Sequence, residues 1–327
     1  MTTAVIGSGT WGAATAAVLA RAGQDVLLWG RDATKIAGMT ATRRHPDLPD
    51  QILPPTLRLT ADALDLSAAD LVMWAVPAQH TRELAKQLHS FLPAGLAMVS
   101  LAKGLEHSSL KRISEVLAEV LAPRPLACLS GPAMAPEVIA GKPVALVAAG
   151  DAATCACLVE RFHSPRIRVY TSTDLIGVEL GGALKNVVAV AAGLCDGLQL
   201  GDNAKAALIA RGLAEIRRLG RALGAADATF AGLAGLGDLL TSCYSPHGRN
   251  RRLGLAIALG ENPLDFLTQS HTVAEGAWTS RAAIALGERV GIEMPIAFQV
   301  ASVIWHATPV ATALDHLLAR SPKEEDA

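Results

Sequence analysis

A single lysine lies in the most apolar long segment of this 327-residue chain. Between Glu179 and Asp196 every residue except Lys185 and Asn186 is apolar or glycine, which predicts a helix that is buried on all sides. Lysine is rarely buried without a partner, because removing water from its ammonium group is costly. We interpret Lys185 as a desolvated amine that takes or gives a proton in a cleft. The alternative is that it reaches solvent past its short neighbours.

A glycine-rich turn near the start of the chain has the composition of a dinucleotide-binding loop. The apolar run 3–6 leads into Gly7-Ser8-Gly9-Thr10-Trp11-Gly12, and a helix pattern and a second apolar run follow. This order is strand, G-x-G-x-x-G turn, helix and strand. Gly7 permits the tight turn, Gly9 lets backbone approach a diphosphate, and Gly12 lets the helix pack on the strand. The free N–H groups at the helix start then face the phosphates.

The residues after the second strand bear on the choice between NAD and NADP. NAD-specific sites usually have Asp or Glu there, which binds the ribose 2′-hydroxyl. This chain has Arg31 and then Asp32, and a guanidinium suits a 2′-phosphate. We expect NADP to be accepted and preferred, with NAD also accepted because Asp32 is adjacent. The alternative is that Arg31 only pairs with Asp32 at the surface.

Three other charged positions fit a binding site or an ordinary surface equally well. Lys103 follows a predicted strand at its carboxyl end, where open α/β sheets bind ligands. Asp238 follows two glycines, so it could cap a helix, and it could equally, or in addition, hold Lys185 or a substrate hydroxyl. The cluster His247-Gly248-Arg249-Asn250-Arg251-Arg252 either is a solvated face or binds a phosphate, Arg249 by its planar fork and Asn250 by its amide.

The order of predicted elements indicates two architectures in succession. Strands alternate with helices up to Tyr170, which predicts a mostly parallel, doubly wound (Rossmann-like) α/β sheet. Residues 33–55 read as a helix followed by a loop with several prolines. After Tyr170 only helices are predicted, at 174–198, 202–223, 248–260, 272–290, 294–306 and 309–319. We therefore predict a dinucleotide-binding domain over 1–170 and an all-α substrate-binding and catalytic domain over 171–327.

Composition narrows the class of protein. The net charge of −1 argues against bulk nucleic-acid binding. The five cysteines have neither zinc-site nor disulfide-framework spacing, so we expect reduced thiols, no metal site and a cytoplasmic setting. We expect no membrane span, because no charge-free apolar run is long enough.

Several short motifs, taken in this order and spacing, resemble those of the bacterial-type NAD(P)-dependent glycerol-3-phosphate dehydrogenases. The resemblance covers nearly the whole chain, and it is carried by residues 7–12, Ala102-Lys103-Gly104-Leu105-Glu106, Ser130-Gly131-Pro132, Gly181-Gly182-Ala183-Leu184-Lys185-Asn186, Gly235-Leu236-Gly237-Asp238-Leu239, Arg249-Asn250-Arg251-Arg252 and Val273-Ala274-Glu275-Gly276. It implies interconversion of dihydroxyacetone phosphate and sn-glycerol 3-phosphate by hydride transfer with NAD(P)H, which supplies glycerol phosphate for phospholipid synthesis. It also implies a homodimer.

The resemblance further implies a role for each matching residue. Lys185 would be the proton acceptor in alcohol oxidation, supported by Asp238. The cofactor would be bound by Gly7, Gly9, Thr10, Trp11, Gly12, Arg31, Lys103, Ala135, Arg249, Val273 and Glu275. The substrate would be surrounded by Lys103, Gly131, Ala133, Lys185, Asp238, Gly248, Arg249 and Asn250.

Two positions depart from the family pattern. The family usually has Ser or Thr where this chain has Ala133, and Ser where it has Gly248. Both changes remove a hydroxyl from the implied substrate pocket. A lost hydrogen bond to a charged phosphate costs about 1.5–3 kcal/mol unless water or a backbone N–H replaces it.

Two other functions compete with this interpretation. A reductase of the hydroxyacid or ketopantoate type also places Lys and Asn on a central helix, and it would prefer a carboxylate substrate. A non-catalytic nucleotide-sensing module would contain the dinucleotide turn but would have no use for a buried lysine facing an anion site.

Overall fold

The computed structural model describes residues 1–121, 123–269, 274–321 and 324. Within that part of the chain, the strands are β1 (Thr2–Ile6), β2 (Asp25–Trp29), β3 (Arg44–His45), β4 (Leu48–Ile52), β5 (Arg58–Thr60), β6 (Leu71–Trp74), β7 (Ala97–Ser100), β8 (Leu126–Ser130), β9 (Val144–Gly150) and β10 (Ile167–Ser172).

The helices of the described residues fall into two groups. Between the strands lie α1 (Thr10–Arg21), α2 (Ala33–Thr42), α3 (Ala78–Leu88), α4 (Ile113–Val120), α5 (Ala135–Ile139) and α6 (Ala152–Arg161). After the last strand come α7 (Leu175–Gly197), α8 (Gly201–Ala222), α9 (Asp227–Ala231), α10 (Asp238–Tyr244), α11 (Arg249–Ala258), α12 (Pro263–Gln269), α13 (Glu275–Val290), α14 (Pro295–Trp305) and α15 (Val310–Leu318).

Eight of the strands form one sheet in the order β10-β9-β8-β7-β6-β1-β2-β5. The strands from β8 to β5 are parallel, and β9 pairs with β8 in the antiparallel sense. The predicted mostly parallel sheet followed by helices is therefore confirmed. The change from strands to helices falls between Ser172 and Leu175, whereas the division into domains 1–170 and 171–327 stays a prediction.

The strand order reverses around β1, which lies between β6 and β2. In open α/β sheets this reversal leaves a crevice at the carboxyl ends of the strands, where ligands bind. The glycine-rich turn follows β1 directly, and α1 begins within it at Thr10. The fold thus places the predicted dinucleotide loop at the crevice.

The loop predicted within residues 33–55 is wrong in part. After α2 the chain forms a small antiparallel hairpin of β3 and β4. The His45 ring is fully buried and explains why this segment is ordered. Its Nε2 lies 3.0 Å from the carbonyl oxygen of Ser8, and its Nδ1 accepts the Asp47 N–H at 3.0 Å. Because a carbonyl only accepts, Nε2 carries the proton, and burial lowers the pKa of His45.

The helix α7 is the centre of the second half. By length and composition it is apolar enough to cross a membrane, and 89 % of its most apolar window is buried inside the protein. A core helix has this character. Small residues let neighbouring backbone approach it: a Cβ at Gly181 would lie 2.7 Å from the Ala234 carbonyl oxygen. This approach brings the loop before α10 against the middle of α7, near Lys185.

Candidate active site

Lys185 is buried and makes two hydrogen bonds with its three donors. The residue is 5 % exposed, and its Nζ donates to Asp238 Oδ1 at 2.5 Å and to Ser242 Oγ at 2.7 Å. Burial lowers the pKa of Lys185 to about 8, against the opposing effect of Asp238, and the nearby charge of Lys103 lowers it further. The amine therefore does not reach bulk solvent, and its pKa lies closer to neutral pH than that of an ordinary lysine.

Lys103 brings a second amine to the same carboxylate from the carboxyl end of β7. Its Nζ donates to Asp238 Oδ2 at 2.7 Å and to the Gly131 carbonyl oxygen at 2.9 Å. Gly182 makes room for this side chain, since a Cβ there would lie 3.0 Å from Ser130 Oγ and 3.6 Å from Lys103 Cγ. The site thus combines residues from both halves of the chain.

Asp238 is a partner of lysines and does not cap its helix. The N-cap position of α10 is Gly237, which ends a short π-helical turn over Leu233–Gly237. Asp238 is the first helical residue, 1 % exposed, and its two oxygens accept from Lys185 and Lys103. The Asp238 carboxylate therefore contacts Lys185 rather than the N–H groups of its own helix.

The buried Asn186 and the half-buried Asn250 form an amide pair that connects four segments. Asn250 Nδ2 donates to Asn186 Oδ1 at 2.8 Å, and Asn186 Nδ2 donates to the Lys103 carbonyl oxygen at 2.8 Å. The Gly276 N–H donates to Asn250 Oδ1 at 2.9 Å. Asn250 therefore uses its oxygen and one amide hydrogen inside the protein, which leaves one N–H for a ligand.

The basic cluster before and within α11 divides into residues with different surroundings. Arg249 is exposed and begins the helix, and its guanidinium makes no hydrogen bond or ion pair within the described residues. Arg251 is committed to Asp196 at 2.6 Å. Gly248 occupies the N-cap position without a side-chain oxygen. Arg249 thus has its hydrogen-bond donors available to an anion, and so does the exposed Arg252.

The glycine-rich turn has the shape that a diphosphate needs. Gly7 has φ +114, and a Cβ there would lie 2.5 Å from the Ala75 carbonyl oxygen. A Cβ at Gly12 would lie 2.0 Å from the Gly7 carbonyl oxygen, whereas a Cβ at Gly9 would meet nothing within 4 Å. Gly7 and Gly12 are needed for close packing, whereas open space lies beside Gly9. A dinucleotide therefore fits this turn.

The remaining cofactor candidates lie around the same crevice. Arg31 is exposed just after β2, and Asp32 accepts the Lys35 N–H at 3.0 Å as the cap of α2. Glu275 Oε1 accepts the Ala78 N–H at 3.0 Å, while its buried Oε2 has no partner among the described residues. Thr10, Trp11, Ala133 and Ala135 are partly buried. Val273 lies outside the described residues.

Sequence reasoning missed several residues at the site and around it. Ser242 contacts the Lys185 amine, and its spacing of four from Asp238 on one helix face was a usable signal. Asp196 and Lys205 pair at 2.8 Å, but their separate helices gave no sequence signal for the contact. His45, which holds the glycine-rich turn through Ser8, was also missed.

Comparison with known families agrees with this geometry. Residues 2–156 match the family described as NAD-dependent glycerol-3-phosphate dehydrogenase N-terminus, and residues 174–315 match the corresponding C-terminus family. The chain belongs to the NAD-dependent glycerol-3-phosphate dehydrogenase family. The family and fold expected from the sequence are therefore confirmed.

Individual members of the dehydrogenase family are similar over almost their whole length. The chain is 43 % identical to a glycerol-3-phosphate dehydrogenase [NAD(P)+] of Desulfitobacterium hafniense, covering 98 % of this chain and 92 % of that protein. It is 46 % identical to one from Halorhodospira halophila, covering 99 % and 98 %. The crystal structure of the Coxiella burnetii glycerol-3-phosphate dehydrogenase aligns with TM-score 0.94 and 37 % identity, covering 98 % and 99 %.

A ketopantoate reductase of Ralstonia eutropha aligns with TM-score 0.61 and 18 % identity. That likeness is one of fold alone.

Proposed function

We propose that this chain is an NAD(P)-dependent glycerol-3-phosphate dehydrogenase, which interconverts dihydroxyacetone phosphate and sn-glycerol 3-phosphate. The observation that carries the proposal is the Lys185 amine, buried between Asp238 and Ser242 with Lys103 on the same carboxylate. A buried amine whose pKa is lowered to about 8 suits proton transfer to or from an alcohol. When bound, the nicotinamide supplies or accepts the hydride.

In ketone reduction, the ammonium form of Lys185 polarises the carbonyl group and donates the proton to its oxygen. In alcohol oxidation, the neutral amine removes that proton. Asp238 orients the amine and favours its charged form. Lys103 adds a second positive charge beside the reacting oxygen.

At the other end of the substrate, Arg249 would bind the phosphate with its guanidinium, which makes no hydrogen bond within the described residues. The remaining Nδ2 hydrogen of Asn250 and the N–H groups at the start of α11 point to the same role. Binding at a distance orients the reacting carbon. Gly131, Ala133 and Gly248 would complete the pocket, with two fewer hydroxyls than the family pattern.

The cofactor would lie over the glycine-rich turn, with its nicotinamide end toward Lys103, Ala135, Val273 and Glu275. Exposed Arg31 favours a 2′-phosphate, so we propose that NADPH is preferred and NADH accepted. Residues 1–170 would bind the cofactor, and 171–327 would supply the catalytic lysine. We also propose a cytoplasmic homodimer that provides glycerol phosphate for phospholipid synthesis.

The deciding experiment follows the absorbance of each reduced cofactor with dihydroxyacetone phosphate and purified protein. Oxidation of NADPH that requires the phosphate group supports the proposal, and dihydroxyacetone is the matched control. Turnover with ketopantoate but not with the phosphate ester would identify a carboxylate-specific reductase instead. Cofactor binding without turnover of any small ketone phosphate would indicate a nucleotide sensor.

A further inference from the structure

An ion cluster outside the proton-transfer site connects α7, α8 and α11. Lys205 Nζ donates to both oxygens of Asp196, at 2.8 and 2.9 Å, and Arg251 Nε donates to Asp196 Oδ2 at 2.6 Å. The Lys205 side chain is 7 % exposed, and Asp196 and Arg251 are 21 % and 19 % exposed. A shielded carboxylate with two cationic partners holds its position far better than a surface ion pair does.

Backbone contact between α7 and α11 occurs beside this cluster. A Cβ at Gly193 would lie 2.0 Å from the Arg251 carbonyl oxygen, and one at Gly254 would lie 2.0 Å from the Val190 carbonyl oxygen. The two helices therefore touch through glycines with no side chain between them. Arg251 is fixed to α7 twice, by its backbone at Gly193 and by its guanidinium at Asp196.

Arg249 lies two residues before Arg251, at the first position of the same helix. Its guanidinium makes no hydrogen bond or ion pair within the described residues, and the charges of Glu275 and Asp47 act on it from a distance. Its reach depends on the position of the first turn of α11. That position is determined by the contacts of Arg251 with α7 and by the amide pair of Asn250 with Asn186.

We propose that Asp196 is a positioning residue for substrate phosphate binding. By holding Arg251, it places the first turn of α11 so that Arg249 meets the phosphate while the reacting carbon lies at Lys185. The inference rests on the proposed function. Lys205 supports the role of Asp196 by fixing the carboxylate, and its Nζ in turn lies 4.5 Å from the centre of the Tyr244 ring on α10.

The test compares Asp196→Asn with wild type, using dihydroxyacetone phosphate and, separately, dihydroxyacetone. We expect KM for the phosphate ester to rise about ten- to hundredfold, because a misplaced guanidinium loses its charge-assisted hydrogen bonds. We expect kcat at saturation to change less than about threefold. The value of kcat/KM for dihydroxyacetone should stay within about twofold of wild type, since dihydroxyacetone has no phosphate group for Arg249 to bind.

Two further variants separate positioning from loss of structure. Arg251→Gln removes the partner without leaving Asp196 unpaired, since Lys205 remains, and it should give the same selective rise in KM. Asp227→Asn removes an exposed carboxylate paired with Arg217 on α8, and it should leave every kinetic constant unchanged. Thermal unfolding of each protein shows whether it is folded at the assay temperature.

A double-mutant cycle with Arg249→Ala tests the proposed route directly. If Asp196 acts through Arg249, adding Asp196→Asn to Arg249→Ala should raise KM less than about twofold further. If the effects of the two substitutions on KM were independent and multiplied, the inference would be overturned. An unchanged KM in a folded Asp196→Asn protein would overturn it as well. Wild-type protein without activity on the phosphate ester would contradict the proposed function itself, which keeps the two failures distinct.

Discussion

Lys103 and Lys185 come from different halves of the chain and bind opposite oxygens of one carboxylate, that of Asp238. Two ammonium groups this close repel each other, and the carboxylate between them offsets that repulsion. If either lysine is replaced, Asp238 keeps a partner and is not left as an isolated buried charge. The site therefore tolerates single substitutions better than an isolated buried ion pair does.

Lys185→Met should fold, bind cofactor and lose at least about a hundredfold in kcat, because the proton donor and acceptor is gone while Asp238 keeps Lys103. Steady-state kinetics and a fluorescence titration with NADPH measure the two effects. Lys86→Met, on the exposed face of α3, is the control and should behave as wild type. Near-normal turnover by Lys185→Met would end the assignment of Lys185.

The two reaction directions should have opposite pH dependences. The pKa of Lys185 is lowered to about 8 by burial, and reduction needs the ammonium form, so its kcat should fall as pH rises through about 8. Oxidation needs the neutral amine, and its kcat should rise over the same range. In Asp238→Asn, both transitions should move to lower pH, because the charge that raises the pKa of the amine is removed. A transition that does not move would show that another group titrates.

Arg31→Ala should lower kcat/KM for NADPH by about ten- to hundredfold and leave that for NADH within about threefold. A guanidinium contributes charge-assisted hydrogen bonds to a 2′-phosphate and nothing comparable to a 2′-hydroxyl. Initial rates with both cofactors at a fixed substrate concentration provide the comparison. Arg166→Ala, an exposed arginine before β10, serves as the control. Equal losses with both cofactors would exclude a specific contact with the 2′-phosphate.

Glu215 should make stability depend on pH. It is 4 % exposed and accepts the N–H groups of Ile296 and Ala297 at 2.8 and 3.0 Å, and burial raises its pKa to about 7. Because the pKa of this group is higher in the folded state, its contribution to stability is fully present at pH values below its pKa in the unfolded chain. That contribution is lost as the pH rises through its pKa in the folded protein. The free energy of unfolding should therefore fall by roughly 2–3 kcal/mol between about pH 5 and pH 8 through this group.

Denaturant unfolding of wild type and Glu215→Gln across that pH range measures the contribution. The variant lacks the titrating group, so its free energy of unfolding should change less with pH. Parallel curves for the two proteins would show that Glu215 keeps an ordinary pKa when folded.

The sequence predicted the first strands, the glycine-rich turn and α7 well, because local patterns determine them. Apolar periodicity gives the strands, and the spacing of Gly7, Gly9 and Gly12 has a mechanical reason within a few residues. The buried lysine was recognisable for the same reason, since it interrupts an otherwise apolar helix.

Contacts between distant segments were not predictable in this way. The His45 contact with Ser8 and the Asp196 contact with Arg251 depend on how hairpins and helices meet in space. The π-helical turn before Asp238 also gave no periodic signal, because it is a short run of leucine, alanine and glycine that packs against α7. For Asn250, the sequence predicted an amide that binds phosphate, and most of that amide instead hydrogen-bonds within the protein.

The paired carboxamides of Asn186 and Asn250 have a mechanical consequence. Through the Lys103 carbonyl and the Gly276 N–H, they tie the loop after β7 to α7, α11 and α13. If any two of these segments separate, a donor or acceptor that is shielded from water loses its partner. Each broken hydrogen bond then costs about 1–3 kcal/mol. The four segments are therefore expected to move as one rigid unit. If the cleft opens to admit a ligand, the backbone must change conformation outside these four segments.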